Sequence, residues 1–287
     1  MGVLSNFKKK NGRTEMKELQ KDVARIMEIV KSEGVKERVF SAKSSYYNWS
    51  KEEQELKAQV ESIFERKLMT LFFDLEESLQ RVPSQSEYLK EYMKIAFGKI
   101  EKEDWYTEIV KVFNREFIEN CVTWRADRAY KSSLIEIMTA AQLESKGYTV
   151  FREKYLDMVM GVDLVAIKGG KVWYIHVTKD SSFSKGKVLT KGTYRDYWVN
   201  YKRFNYQRNF ENHVELFYSN EENANNVVKN GLPLFKFDYV LDALDEQHSF
   251  KWDDNNQMAE LMAIMKNAGS VNKFYTWTSA DNKMVVK

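Results

Sequence analysis

Cysteine is nearly absent: Cys121 is the only one in a chain of 287 residues. It has no internal disulfide partner and cannot build a thiolate metal site alone, so a reducing, intracellular setting is expected. Proline is almost as scarce, with only Pro83 and Pro233, and glycine is modest at 12 residues. A sandwich assembled from many tight turns needs more of both, and the shortage favours long helices. No run approaches 18 uninterrupted apolar residues, so no membrane-spanning helix is expected and a soluble, cytoplasmic protein is. The first ten residues place a short apolar patch before Lys8, Lys9 and Lys10. A secretory signal has the opposite order, so none is read here. Charge of one sign is also lacking: 45 Lys+Arg stand against 42 Asp+Glu, a net charge of +3. That balance excludes a histone-like coat but not a local phosphate-binding patch. Neither Gly-x-x-x-x-Gly-Lys-Ser/Thr nor Gly-x-Gly-x-x-Gly occurs, and there is no His-Glu-x-x-His. Nucleotide-driven motors and dehydrogenases therefore have no support.

What is present is ample core material, with 43% hydrophobic and 14% aromatic residues. From Thr14 to about Trp124 the apolar positions recur at three- and four-residue steps. The spacing predicts helices over Met16 to Val35, Ser50 to about Leu79, Ser86 to Ile100, and Asp104 to about Ile118. Ser50 and Glu53 have the spacing of a capping box, and Pro83 stops the second helix. These stripes read as the core of a helical bundle and carry no chemistry. After Ala129 the pattern changes. A helix is predicted from Ser132 to Lys146, with Gly147 suited to a left-handed C′ position. Strands follow at Tyr148 to Phe151, Val162 to Ile167 and Val172 to Thr178, the last two joined by Lys168-Gly169-Gly170-Lys171, a strong hairpin signal. Further strands are expected at Val214 to Tyr218 and near Phe235 to Tyr239, then a final helix around Gln257 to Lys266. The fold class is thus α/β (α+β): a helical N-terminal region over 1–130, then a mixed-sheet core flanked by helices over 131–287.

A two-residue turn at Gly169-Gly170 pairs positions whose numbers sum to 339, which sets Asp163 opposite His176. Thr178 falls on the same face, while Val177 and Lys179 fall on the other. Asp163 and Lys179 therefore need a bulge or a strand end to meet. An ionised Asp opening an apolar strand is costly to bury without a charged partner. A divalent cation is one such partner, and Glu136 on the preceding helix is a second carboxylate if that helix packs on the sheet with its Glu136 face turned toward the Asp163 end. Plainer roles exist for each: Asp163 accepting backbone hydrogen bonds at a strand end, Glu136 solvated, His176 a satisfied histidine. The stretch from Lys179 to Arg208 carries eight cations against Asp180 and Asp196, interleaved with Phe183, Tyr194, Tyr197, Trp198, Tyr201, Phe204 and Tyr206. Such residues neutralise phosphates and stack on unpaired bases; the structural alternative is a helix packing its aromatics on the sheet with its cations outside. Ser182 to Thr193, with Gly186 and Gly192, reads as a loop able to close over substrate. Asp242, Asp245, Glu246, Asp253 and Asp254 read as solvated surface.

The order of elements resembles the core of the PD-(D/E)XK nuclease superfamily, whose fold is restriction-endonuclease-like. The matching text is Ser133-Leu134-Ile135-Glu136-Ile137, Leu143-Glu144-Ser145-Lys146-Gly147-Tyr148, Gly161-Val162-Asp163-Leu164-Val165 and Tyr174-Ile175-His176-Val177-Thr178-Lys179. It spans about residues 132 to 182. The resemblance implies hydrolysis of phosphodiesters with Mg²⁺ or Mn²⁺, most often in DNA. It implies Glu136, Asp163 and His176 as metal ligands, and Lys179 beside them as the catalytic cation, with Asp180 a substitute acid. Lys185, Lys187, Lys191, Arg195, Lys202 and Arg203 are the expected nucleic-acid contacts. The helical region would bind a partner or mediate homodimerisation. The third strand departs from the family pattern, because His176 and Thr178 occupy the positions of the acid and the lysine. A catalytically inactive nucleic-acid- or protein-binding relative is therefore the alternative.

Overall fold

The computed structural model describes residues 16–37, 50–52, 55, 66–112, 114–152, 157, 162–169, 171–181, 184, 194–199, 202–207, 213–246, 250–251, 275–278 and 283–286. The chain divides into two compact units, one of residues 24–134 with 230–232, the other of 1–23, 135–229 and 233–287. Its elements are helices and a mixed sheet, an α+β fold.

In the helical unit, α1 (Met16–Ser32) buries Ile26, Ile29 and Val30 on one stripe. Helices α2 (Arg66–Leu79) and α3 (Gln85–Ile100) pack together. The α3 N-terminus carries a capping box, with Ser84 accepting from the Glu87 N–H and Glu87 reaching back to the Ser84 N–H. Arg81 grips the same carboxylate at 2.6 and 2.9 Å. The Ser50/Glu53 box expected from the sequence lies outside the described residues at Glu53. Phe72, Tyr88 and Tyr130 form an aromatic cluster with centroids 5.5–5.8 Å apart, and the Tyr130 hydroxyl donates to Pro83 O at 2.8 Å.

The fourth helix expected from the sequence is in fact two pieces, α4 (Tyr106–Val112) and α5 (Arg115–Ser145). Asn114 makes the break: its side-chain oxygen accepts the Phe117 N–H at 2.9 Å, as an N-cap does. Nor does a helix begin at Ser132. Instead α5 runs unbroken through that point and through the 130/131 junction, because Ala126, Tyr130, Leu134 and Ile137 continue one buried stripe across the serines. A serine pair is a cap only where the backbone on its N-terminal side is not already helical.

In the sheet unit, β1 (Thr149–Phe151), β2 (Leu164–Lys168) and β3 (Lys171–Lys179) follow the helix, and α5 ends where Gly147 takes φ +82. Strands β4 (Tyr194–Val199) and β5 (Lys202–Gln207) pair antiparallel with each other. A helix over the basic segment is thereby overturned, at least where it is described, because Tyr, Trp, Val and Phe there favour a pleated surface. Strand β6 (His213–Tyr218) lies parallel to β3 and completes the order β1-β2-β3-β6. Strands β7 (Asn226–Lys229) and β8 (Leu232–Phe235) are joined by Asn230-Gly231, with φ +42 and +85, the signature of a tight hairpin turn. Only glycine fits at 231, since an added Cβ would stand 2.1 Å from Val35 O. The strand expected near Phe235 to Tyr239 lies earlier, with Phe235 closing β8, and from Phe237 the chain is already α6 (Phe237–Glu246), which buries Val240 and Leu244 one turn apart. Short β9 (Phe250–Lys251) pairs with β3, and β10 (Tyr275–Thr278) with β11 (Lys283–Val286). The helix expected around Gln257 to Lys266 lies outside the described residues. Among those described, no helix is long and apolar enough to cross a membrane.

Candidate functional site

The hairpin register is the one the glycine pair dictates. Lys168 pairs with Lys171 and Leu164 with Ile175, so the sum of 339 holds along the ladder. Pairing stops at Leu164, and β3 continues alone against β6 as far as Lys179. Asp163 stands at this divergence. Its N–H donates to Ile175 O at 3.1 Å, the residue already facing Leu164, so two consecutive residues share one partner as in a β-bulge. Its Oδ2 accepts the Val177 N–H at 2.7 Å, prolonging the ladder by a side chain.

Glu136 arrives from α5. Ile135, Ile137, Ala140 and Leu143 bury the surrounding positions of that helix. Glu144 Oε1 accepts the Val150 N–H at 3.2 Å and ties the helix to β1. That tie lies eight residues along the helix from Glu136, about 12 Å at 1.5 Å per residue. The Glu136 side chain keeps 13% exposure, and its Oε2 lies 3.3 Å from Nε of Arg152, itself 10% exposed. Arg152 follows the buried Phe151 at the end of β1. Burial pushes the Glu136 carboxyl well above the ordinary range; the negative charge of Asp163 pushes it further, Arg152 opposes, and Asp157 adds a smaller upward push. The charge of Asp163 thus reaches Glu136 in a poorly solvated place, and the Arg152 guanidinium opposes it there.

The remaining sequence candidates are placed differently. His176 is buried on β3, beside Glu215 of β6 in the parallel register. Thr178 Oγ1 donates to Glu215 Oε2 at 3.3 Å. Lys179 is the last residue of β3 and pairs with Tyr218, and Asp180 donates its N–H to Tyr218 O at 2.7 Å. Among the described residues no three of His, Cys, Asp and Glu come together as a metal-holding group, so Glu136, Asp163 and His176 are not assembled as a three-ligand centre. Lys185, Lys187 and Lys191 lie outside the described residues, as does nearly all of the Ser182 to Thr193 loop. Arg195, Lys202 and Arg203 lie on the β4–β5 hairpin, paired with Tyr206, Val199 and Trp198.

Three residues at or near the site escaped the sequence reading. Arg152 is a cation at Glu136 that the sequence reading did not name; its only signal was an arginine closing an apolar strand. Asp157 lies in the connection from β1 to β2, which shows no periodicity. Glu215 alternates with the buried Val214 and Leu216, a detectable outward position, but which strand faces it is not written locally. Comparison with protein-family models, with curated proteins and with solved structures gives no match.

Proposed function

We propose that this chain is a metal-dependent nuclease that hydrolyses phosphodiester bonds, in DNA, in a cytoplasmic setting. The observation that carries the proposal is the buried Glu136, 3.3 Å from Arg152 and near enough to Asp163 for that residue's charge to push its carboxyl upward. Two hard oxygen donors suit a Mg²⁺ or Mn²⁺ ion. Such an ion, when bound, polarises a phosphoryl oxygen and lowers the pKa of a bound water. The chain's own residues do the rest. The Val177 N–H fixes one oxygen of Asp163, the α5–β1 tie fixes the helix that bears Glu136, and Arg152 supplies positive charge beside them. The cations Arg195, Lys202 and Arg203 of the β4–β5 hairpin are the candidate phosphate contacts, and the helical unit is the candidate surface for a partner or a second copy.

A specific observation favours the second reading, a relative that binds without cleaving. Arg152 already pairs with Glu136, and His176 and Thr178 stand where the resemblance calls for an acid and a lysine. Incubation with plasmid, single-stranded DNA and RNA in Mg²⁺ or Mn²⁺ separates the two. Cleavage that requires the metal and disappears in Asp163→Ala is the expected outcome. Cleavage unchanged in that variant overturns the assignment of the site, and binding with no cleavage by any metal-loaded protein favours the second reading.

A further inference from the structure

The β4–β5 register sorts into two sets a segment whose cations and aromatics are mixed along the sequence. Arg195 stands opposite Tyr206, Tyr197 opposite Phe204, and Val199 opposite Lys202. Directly paired residues share a face, and faces alternate along each strand, so these six residues occupy one face. The other holds Tyr194, Asp196, Trp198, Arg203, Asn205 and Gln207. Among the described ribbon residues, the first face therefore carries three aromatic residues and two cations with no acid, whereas Asp196 falls on the second, with Arg203.

Charge and ring chemistry together select one occupant for the first face. Cations without an acid among them attract a polyanion. A duplex offers phosphates to those cations, but its bases are paired and stacked on each other, out of reach of the three rings. An unpaired strand offers both phosphates and free base faces. The spacing agrees: Phe204 and Tyr206 are two residues apart on one strand, about 6.8 Å. That is twice the step of about 3.4 Å between stacked bases, room for one base between two rings. Arg195 and Lys202 belong to the outer two of the three rows, about 14 Å apart, so a strand crossing the aromatic positions meets a cation on either side. We infer that this face of the β4–β5 ribbon binds single-stranded nucleic acid, with Arg195 and Lys202 on its phosphates and Tyr197, Phe204 and Tyr206 stacked on its bases. The inference rests on the nucleic-acid reading above and deepens it by naming the strand state of the substrate; it needs no metal. The rival role is packing: β10 lies beside β5, and rings enclosed there would support the fold and bind nothing.

The test is fluorescence anisotropy of the full chain with a labelled oligo-dT of about 20 nucleotides, an oligo-rU of the same length and a duplex of that length. All titrations contain EDTA, so no metal takes part and no strand is cut. Oligo-dT should bind more tightly than the duplex. Tyr197→Ala and Phe204→Ala should each weaken that binding about fivefold or more, and Tyr197→Phe should restore it. Arg195→Ala and Lys202→Ala should each flatten the dependence of log affinity on log salt by about 0.7. Thermal unfolding accompanies each titration; where an alanine variant does not fold, Tyr197→Leu and Phe204→Leu keep the apolar bulk, lose the ring and answer the same question. Duplex binding as tight as that of oligo-dT, or a loss on Trp198→Ala as large as on Tyr197→Ala, overturns the inference and leaves a DNA-cutting enzyme standing. Lower melting temperatures with unchanged affinity assign the rings to packing and overturn it too. Tighter binding of oligo-rU than of oligo-dT supports the single-strand inference and names RNA as the polymer. Failure of all three probes to bind overturns this inference and the nucleic-acid reading together.

Discussion

Asp163 has two duties that different substitutions separate. Its Oδ2 accepts the Val177 N–H at 2.7 Å, a structural bond at the point where the ladder ends. Its charge acts on Glu136. Alanine removes both and leaves a part-buried amide without its acceptor, which costs about 1–3 kcal/mol. Asparagine keeps a carbonyl oxygen for that amide and removes the charge. Asp163→Asn should therefore unfold in urea close to the unaltered protein while losing metal-dependent cleavage, whereas Asp163→Ala should lose both stability and cleavage. Equal destabilisation by the two would mean that the charge, not the hydrogen bond, holds this corner.

At the scale of elements, the start of α3 makes a pH prediction. Glu87 is held down to about 2 by the Arg81 guanidinium first, and then by its hydrogen bonds from Ser84. A carboxylate lowered in the folded state stabilises the fold above its unfolded value, 4.5 here, and the contribution fades as pH falls toward 2. Both side chains are more than a third exposed, so solvent screening limits the effect to roughly 1 kcal/mol. Glu87→Gln should be less stable at pH 7 by that amount, with the gap closing between pH 4.5 and 2 in urea titrations; a gap independent of pH would show that the carboxylate's charge contributes nothing. This box was not read in the sequence, although Ser84 and Glu87 have the same spacing as Ser50 and Glu53. The β2–β3 hairpin, by contrast, was legible to the residue, because a two-residue turn leaves no freedom of register. The β4–β5 ribbon and α6 were not. Aromatic-rich runs such as Tyr194–Val199 and Phe237–Glu246 satisfy both periods over a few residues, and burial chooses between them.

At the scale of the whole molecule, contacts between distant segments set the stability of the helical unit. Lys131 Nζ meets Glu37 Oε2 at 3.0 Å with side chains only 3% and 9% exposed. Nearby, Gln85 Nε2 donates to Asp127 Oδ1 at 2.7 Å and to Lys36 O at 2.6 Å, joining three segments. Breaking a buried pair by removing one partner leaves the other charge in a poor solvent. Lys131→Met should therefore cost about 3–5 kcal/mol, read as a lower urea midpoint. Adding Glu37→Gln should recover part of the loss, and a double variant no better than the single would mean that packing around Lys131, not its charge, carries the effect.

The local part of this protein was fixed by its sequence: the apolar stripes of the helices, the left-handed glycine at 147, and the hairpin at 169–170, whose ladder nevertheless ends at Leu164, so that the expected pairing of Asp163 with His176 gives way to a bond from the Asp163 N–H to Ile175 O. Such features depend on residues a few positions apart, where sterics and periodicity leave little choice. Only the tertiary structure decided that the charge of Asp163 acts on Glu136, that Arg152 pairs with Glu136, and that Glu215 lies beside His176. Each of these joins segments separated by 16 to 39 positions, as from Glu136 to Arg152 or from His176 to Glu215. Between such segments the connecting chain sets no register, and the burial of the apolar faces selects which polar groups meet.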